Sequence, residues 1–363
     1  MAKMLDKKKV VIGMSGGVDS SVAAYMLKEE GFDVTGVYFN LWESIDGGRF
    51  ENFAKANEED ARAVCENIDI NFLSKNYEEP FKSEVVEYFI SEYLAGRTPN
   101  PCVQCNRTIK FKYLMDIANE IGAYYLATGH YVQVCKDKAK SRYFIKKTDN
   151  SKDQSYMFYT LSQEMLSRLI MPLGNMKDKE DVRRYAEEIG LSMAKKKDSQ
   201  EICFIQDNDY CGFIERNVKD GFKSGDFIDD DGKFLGKHKG IPFYTVGQRK
   251  GLGISVGKPM YVKNIMVDSN KIMLTDNSEL FTSVLLAEKV NSVKYEEIPE
   301  DRVLKIKTRY TAKEADGKIK KLNNGNLEIT FLKPQRAVTP GQSIVIYEGD
   351  DLIGGGIIVK TAG

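Results

Sequence analysis

The chain has 363 residues, more than one domain usually holds, so two or three domains are expected. With 42% apolar and 29% charged residues it has material for sizeable cores, which excludes a disordered or fibrous chain. Lysine plus arginine and aspartate plus glutamate number 53 each, which excludes a generally basic nucleic-acid binder. Local basic patches remain at 136–147, at Lys195, Lys196 and Lys197, and at 305–321, each of which also suits a solvated face. No run is apolar enough to span a membrane and the first residues lack a signal-peptide core, so a cytoplasmic protein with reduced cysteines is expected.

In chain order, Lys9-Val10-Val11-Ile12 reads as a buried strand that enters Gly13-Met14-Ser15-Gly16-Gly17-Val18-Asp19-Ser20-Ser21, after which the apolar spacing turns helical. Gly16 and Gly17 let backbone approach an anion, the serines add hydroxyl donors, and a helix N-terminus contributes unpaired N–H groups. Asp19 reads as the ligand of a Mg²⁺ bridging it to phosphates rather than as a phosphate ligand. No lysine follows the second glycine, so the Walker pattern does not fit. A capped turn would use the same glycines, and spacing alone leaves both readings open.

A second strand at 33–39, helices at 58–68, 81–94 and 106–121, a strand at 123–128 and helices near 155–168 and 179–190 follow in alternation. That order implies an α/β domain, a parallel sheet with helices on both faces and ligands at the carboxyl ends of its strands. The helix at 81–94 sets Val85, Val86, Phe89, Ile90, Tyr93 and Leu94 on one face. From about residue 213 glycine-rich turns separate short segments. After 270, period-two runs at 303–307, 327–331, 342–347 and 356–359 have the pattern of a small β-barrel. The expected domains are 1–212, 213–270 and 271–363.

The six cysteines form the second constellation. Asn100-Pro101-Cys102-Val103-Gln104-Cys105-Asn106 puts two thiols three apart just before a helix, where the N-terminus would stabilise a thiolate and lower its pKa. Half a zinc site is the other reading, but the chain has no second CxxC, no HxxxH and only two histidines. Cys203 is a third candidate, in an apolar run that also suits a core. Cys65, Cys135 and Cys211 read as structural.

The order Ser-Gly-Gly-x-Asp-Ser resembles the PP-loop ATP pyrophosphatase superfamily, whose members adenylate a substrate and release pyrophosphate. Asn100-Pro101-x-x-x-Cys105-Asn106, Thr128-Gly129-His130-Tyr131, Lys152-Asp153-Gln154-Ser155 and Ile202-Cys203-Phe204-Ile205 narrow the resemblance. With Thr245-Val246-Gly247-Gln248-Arg249-Lys250-Gly251-Leu252-Gly253 and Gly354-Gly355-Gly356-Ile357, they are similar in order to the tRNA-specific 2-thiouridylase family over essentially the whole chain.

The resemblance implies a PP-loop (adenine nucleotide alpha hydrolase-like) catalytic domain, a small central tRNA-binding domain and a C-terminal β-barrel, using ATP and Mg²⁺. It implies that Gly13, Met14, Ser15, Gly16, Gly17, Val18, Asp19 and Ser20 bind the phosphates, that Phe39 sits at the adenine and that Gly129 closes the site. Asn100, Pro101 and Cys102 would meet the target base, and Lys152, Asp153, Gln154, Arg309 and Tyr310 the tRNA. Cys105 matches the nucleophile and Cys203 the carrier of a persulfide. The implied partners are wobble-uridine tRNAs, in the family those for Lys, Glu and Gln, and a sulfur donor such as a cysteine desulfurase or a sulfur-relay protein. The family usually has Asp where this chain has Cys102. Cys102, Cys105 and Cys203 therefore suit two schemes, sulfur delivery by a cysteine persulfide or by an iron–sulfur cluster held on three thiolates. A PP-loop ligase or amidotransferase acting on a small metabolite, and an RNA-binding protein with a relic nucleotide site, are the alternatives.

Overall fold

The computed structural model describes residues 4–42, 45–48, 51–191, 202–205, 207, 209–219 and 221–362, so Lys195, Lys196 and Lys197 lie outside the described residues. Packing divides the chain into two units. Met1–Val86, Cys102–Gln206 and Asp350–Leu352 form the first, and Glu87–Pro101, Asp207–Gly349 and Ile353–Gly363 the second.

Val10, Val11 and Ile12 are wholly buried in β1 (Asp6–Met14), as a strand covered on both faces requires. α1 (Val18–Glu29) follows and packs Val18, Val22, Ala23 and Leu27 into the core formed with that sheet. β2 (Asp33–Asn40), α2 (Glu51–Asn67) and β3 (Asn71–Asn76) continue the alternation. Next come α3 (Glu78–Phe81), a π turn at Lys82–Val86 and α4 (Glu87–Leu94), the last belonging to the second unit. α5 (Pro101–Cys105), a second π turn at Asn106–Lys110, α6 (Phe111–Ile121) and β4 (Ala123–Ala127) follow. Gly122, at φ 79°, is the left-handed cap that ends α6 just before β4 begins. A hairpin of β5 (Gln133–Asp137) and β6 (Arg142–Lys146), then α7 (Gln163–Arg168), β7 (Leu169–Ile170) and α8 (Lys179–Glu188) complete the run.

The first sheet has the order β3-β2-β1-β4-β7 with every pair parallel, as expected. The chain moves outward from β1 to β3 and then returns to the other side of β1 with β4. The carboxyl ends of β1 and β4 therefore flank the switch point, where open α/β sheets place ligands.

Three expectations need correction. The helix at 155–168 is broken into a 3₁₀ turn at Ser155–Phe158 and α7, because Ser162 caps α7 by accepting the Met165 N–H at 3.2 Å. The π turn inside 81–94 shifts the helical period, so Val85, Val86, Phe89 and Tyr93 are buried while Leu94 emerges 40% exposed. The antiparallel hairpin β5–β6 was not expected within the α/β region.

In the second unit, α9 (Tyr210–Asn217) is capped by Asp209, which accepts the Gly212 N–H at 2.9 Å. β8 (Gly225–Ile228), β9 (Phe234–His238), β10 (Tyr261–Met266) and β11 (Lys271–Thr275) form a small sheet in the order β10-β11-β8-β9. Phe227, Tyr244, Val262, Ile272 and Leu274 fill its core. β12 (Phe281–Ser292), β13 (Leu304–Lys307), β14 (Ala315–Lys321), β15 (Leu327–Arg336), β16 (Ser343–Glu348) and β17 (Asp351–Ala362) make the expected barrel. It runs β12-β15-β14-β13-β16-β17 and is closed by β12 pairing with β17. Its core is aliphatic, with Leu285, Ile306, Ile329, Ile344, Ile346 and Ile358 wholly buried. The segment after α4 is tied down in this unit. Thr98 N–H donates to Pro340 O at 2.9 Å, and the Gln342 amide donates to Thr98 O at 2.8 Å. Among the described residues no helix is long and apolar enough to cross a membrane.

One buried cation holds the first unit together near the start of β4. Arg168 is 5% exposed; its Nε donates to Tyr124 O at 2.7 Å and its other nitrogens to Ala123 O at 3.1 Å and Asn119 Oδ1 at 2.8 Å. Arg168→Met keeps the apolar stem but removes the donors from buried carbonyls. It should destabilise the protein by about 3 kcal/mol in urea unfolding. A change below about 0.5 kcal/mol would contradict this role.

Candidate active site

β1 ends at Met14, and the chain turns through Ser15, Gly16 and Gly17 into α1. Gly16 has φ 70°, and a Cβ there would stand 2.4 Å from the Asn57 carbonyl oxygen, so both conformation and space demand glycine. Gly17 is the N-cap of α1, and it supplies no side-chain cap hydrogen bond to the helix N-terminus. The serines hold the loop in shape. Ser20 Oγ donates to Gly17 O at 3.1 Å and accepts the Ser15 N–H at 3.2 Å, and Ser21 Oγ donates to Gly17 O at 2.9 Å. Gly129, just past β4, crosses this first turn so closely that a Cβ would lie 2.6 Å from Ser20 N. The structure thus brings Gly129 against the loop formed by Gly13, Met14, Ser15, Gly16, Gly17, Val18, Asp19 and Ser20. Phe39 lies one residue beyond the Met14–Tyr38 pairing, at the carboxyl end of β2, half-buried with its ring edge-on to Tyr77 at 5.2 Å.

Asp19 has both oxygens engaged by the protein. Oδ1 accepts the Tyr131 hydroxyl at 2.7 Å and Oδ2 the Lys179 ammonium at 2.7 Å. A Mg²⁺ carried on phosphates and water needs only one or two carboxylates, which Asp19 suits once it exchanges its lysine. Sequence reasoning gave no role to Tyr131 or Lys179. The one available signal was a lysine in the first turn of a helix, where the dipole disfavours it.

The cysteines sit differently from expectation. Pro101 starts α5, as a proline at the first helical position should, and Asn100 precedes it; Cys102 and Cys105 lie within the helix rather than before it. Cys102 is exposed, Cys105 buried and Cys203 half-buried in the turn at 202–205, where Phe204 packs edge-on to Phe81 at 5.6 Å. The expected lowering of the thiol pKa is reversed. Desolvation pushes Cys105 up to about 11 and raises Cys203 still further, while Lys110 pulls both down. Cys102, though exposed, is surrounded by enough protein for desolvation to raise it too. Burial disfavours the charged thiolate more strongly than the short helix favours it.

Lys110 ends the π turn, five residues after Cys105. Burial alone would lower its pKa, but Cys105, Cys102 and Cys203 reverse this, which places one ammonium within electrostatic reach of all three thiols. His130 hydrogen-bonds through Nδ1 to Thr128 Oγ1 at 2.6 Å and packs against Phe158. Burial, then the charge of Lys110, pushes it down to about 3, so the ring is neutral at physiological pH. Asn106, 1% exposed beside Cys105, has an amide oxygen without a hydrogen-bond partner among the described residues. The segment Thr128-Gly129-His130-Tyr131 thus reaches from Asp19 and the loop to the charge neighbourhood of the thiols.

The expected tRNA contacts divide. Lys152 is exposed. Asp153 accepts the Ser155 hydroxyl at 2.7 Å and the Thr148 N–H at 3.1 Å, which braces its own loop, and Gln154 Oε1 accepts the Tyr131 N–H at 2.9 Å, which ties that loop to the 128–131 segment. In the second unit, Arg309 falls beyond the end of β13 rather than on a strand face, and donates to Ala337 O at 2.7 Å. Tyr310 follows it under the Lys307 ammonium, 5.7 Å from the ring centroid.

Family models match three segments: a "tRNA methyl transferase HUP domain" at residues 8–207, a "tRNA methyl transferase PRC-barrel domain" at 212–276 and an "Aminomethyltransferase beta-barrel domain" at 282–358. The chain is 49% identical to tRNA-specific 2-thiouridylase MnmA 2 of Clostridium botulinum strain Hall, over 98% of this chain and 99% of that one. It is 48% identical to tRNA-specific 2-thiouridylase MnmA 2 of Caldanaerobacter subterraneus subsp. tengcongensis, with the same coverage.

The raised thiol pKa values have a direct consequence. Alkylation of the exposed Cys102 in the free protein should accelerate about tenfold per unit from about pH 7 to about pH 9, because the thiolate fraction is still growing. A plateau below about pH 8 would show a stabilised thiolate and contradict the burial argument.

Proposed function

This chain belongs to the MnmA family of tRNA-specific 2-thiouridylases, and we propose that it activates the wobble uridine of tRNA with ATP and replaces its 2-oxygen by sulfur. The observation that carries this reading is the union, on one α/β unit, of an open phosphate loop with thiols gathered around Lys110, joined through Thr128-Gly129-His130-Tyr131. The matched descriptions name both methyl transfer and thiolation. Three thiols within electrostatic reach of one lysine, on the same unit as a pyrophosphate-type loop, support the second.

A uridine carbonyl oxygen leaves poorly. Transfer of AMP onto that oxygen releases pyrophosphate and converts the oxygen into part of a good leaving group. The open N-terminus of α1, with Gly16 and Gly17, is suited to hold the phosphates. Bound Mg²⁺ would supply neutralisation of the departing pyrophosphate. The base must leave its stack to be reached, and Asn100, Pro101 and Cys102 are its proposed contacts. The Asn106 oxygen, without a partner among the described residues, supports a base site here, since a ligand N–H would satisfy a buried acceptor.

A persulfide on Cys203 supplies the sulfur. Its terminal sulfur attacks carbon-2 and AMP departs with the former 2-oxygen; Cys105 thiolate then attacks the inner sulfur and frees the thiocarbonyl. Alternatively Cys105 first releases hydrosulfide, which attacks carbon-2. Either way a Cys105–Cys203 disulfide remains, and an external thiol reduces it. Lys110 favours each thiolate as it forms, offsetting part of the desolvation. Among the described residues no group of three His, Cys, Asp or Glu side chains is placed to hold a metal ion; the sulfur route proposed is the persulfide, with the three-thiolate cluster as its alternative.

The tRNA set for Lys, Glu and Gln, a cysteine desulfurase or sulfur-relay donor, and contacts through Lys152, Arg309 and Tyr310 belong to the same proposal. Asp153 and Gln154 would act by shaping the loop that presents Lys152. A division near 212 and 270 belongs to the proposal; the matched segments at 8–207, 212–276 and 282–358 support three parts, with β11 at Lys271–Thr275 paired inside the central sheet and so belonging before the second boundary.

Anaerobic assays with ATP, tRNA and a persulfide donor test the reading. Cys105→Ser and Cys203→Ser should each stop 2-thiouridine formation yet still release pyrophosphate when tRNA is present. Cys102→Asp should retain thiolation without bound iron. Wild-type thiolation by Cys203→Ser would sink the sulfur route, loss of activity together with iron in Cys102→Asp would favour a cluster, and tRNA-independent pyrophosphate release with a small acid would favour a ligase.

A further inference from the structure

Lys179 sits where a helix least favours a cation. It is the first residue of α8, whose N-cap Asp178 accepts the Asp181 N–H at 2.7 Å, and its side chain is 11% exposed. A positive charge in a first helical turn opposes the dipole, and burying an ammonium adds desolvation. Docking of α8 does not account for it, because Val182 and Ala186 are wholly buried and Tyr185 meets Tyr25 of α1 edge-on at 6.1 Å. What the position achieves is delivery. The ammonium reaches Asp19 at 2.7 Å, in the first turn of α1 and 160 residues earlier in the chain.

The phosphate loop has no lysine at the Walker position and carries Asp19 instead. Alone, that carboxylate would repel a triphosphate. Lys179 neutralises it, and Tyr131 holds its other oxygen so that the pair keeps one orientation. We propose that Lys179 is the pyrophosphate-side cation of the ATP site: Asp19 stores it beside the loop, and it turns to the β- and γ-phosphate oxygens of bound ATP. This rests on the reading of residues 13–20 as the phosphate loop. The flexible four-carbon stem allows the turn, and a charge-assisted contact with phosphate replaces the one with carboxylate.

Binding separates this from a structural role. ATP and AMP affinities of the full-length protein with Mg²⁺ are measured by calorimetry for wild type, Lys179→Met, Lys179→Gln, Lys179→Arg and Asp19→Asn/Lys179→Met, alongside thermal melting. Lys179→Met and Lys179→Gln should each weaken ATP by about tenfold or more while AMP stays within about twofold, and Lys179→Arg should recover most of the loss. The double variant should remain weak. Equal loss for ATP and AMP, or no loss, would overturn the proposal. So would wild-type ATP affinity in the double variant, since Lys179 would then serve only to neutralise Asp19. If one variant fails to fold, the ATP-to-AMP ratio of the others still decides. Wild-type protein that binds no ATP would overturn the phosphate-loop reading itself, a result distinct from failure at Lys179.

Discussion

The N-terminus of α1 has to stay open to an anion, and the rest of the first unit is arranged around that constraint. Gly17 leaves that start without a capping side chain at small cost, since glycine at the N-cap is only roughly a few tenths of a kcal/mol worse than a capping serine or aspartate. The serine hydroxyls that would be natural caps are turned onto Gly17 O and onto each other, fixing the loop. Gly129 then crosses the first turn at a distance no side chain permits. Because β1 and β4 are adjacent parallel strands, the two glycine segments meet at the switch point of the sheet.

From that meeting point, four consecutive residues organise the remainder. Thr128 orients His130, Gly129 lies on the loop, and Tyr131 fixes Asp19 while its backbone is bonded to Gln154. His130 stays neutral beside Lys110, leaving Lys110 as the cation facing the thiols. Burial keeps those thiols protonated in the free protein, which protects them from adventitious oxidation and ties their reactivity to what enters the site. The proposed sulfur and nucleotide chemistry would thus share one α/β unit.

Much of this was legible in the residues. The strand before the loop, the glycines, the parallel alternation and the period-two runs of the barrel are local patterns, and each became the element expected. Other features left no local trace. π turns at 82–86 and 106–110 break a period that reading at 3.6 residues assumes, which is why Leu94 was placed on the wrong face and the cysteines outside the helix. The Asp19–Lys179 pair joins residues far apart in the chain, and no spacing rule detects it. The direction of the cysteine pKa shifts depended on burial, a tertiary property that outweighed the helix start. Asp153 and Gln154 matched a motif by type, and the hydrogen bonds they make within the protein are a tertiary feature that the motif does not display.

The central claim is that ATP activates the uridine oxygen itself, so that this oxygen leaves with AMP. A tRNA carrying ¹⁸O at the 2-position of its wobble uridine tests this directly, by mass spectrometry of the AMP released as thiolation proceeds. The account predicts one ¹⁸O in the phosphate of AMP for each 2-thiouridine formed. Unlabelled AMP, with the ¹⁸O recovered in water or pyrophosphate, would contradict it.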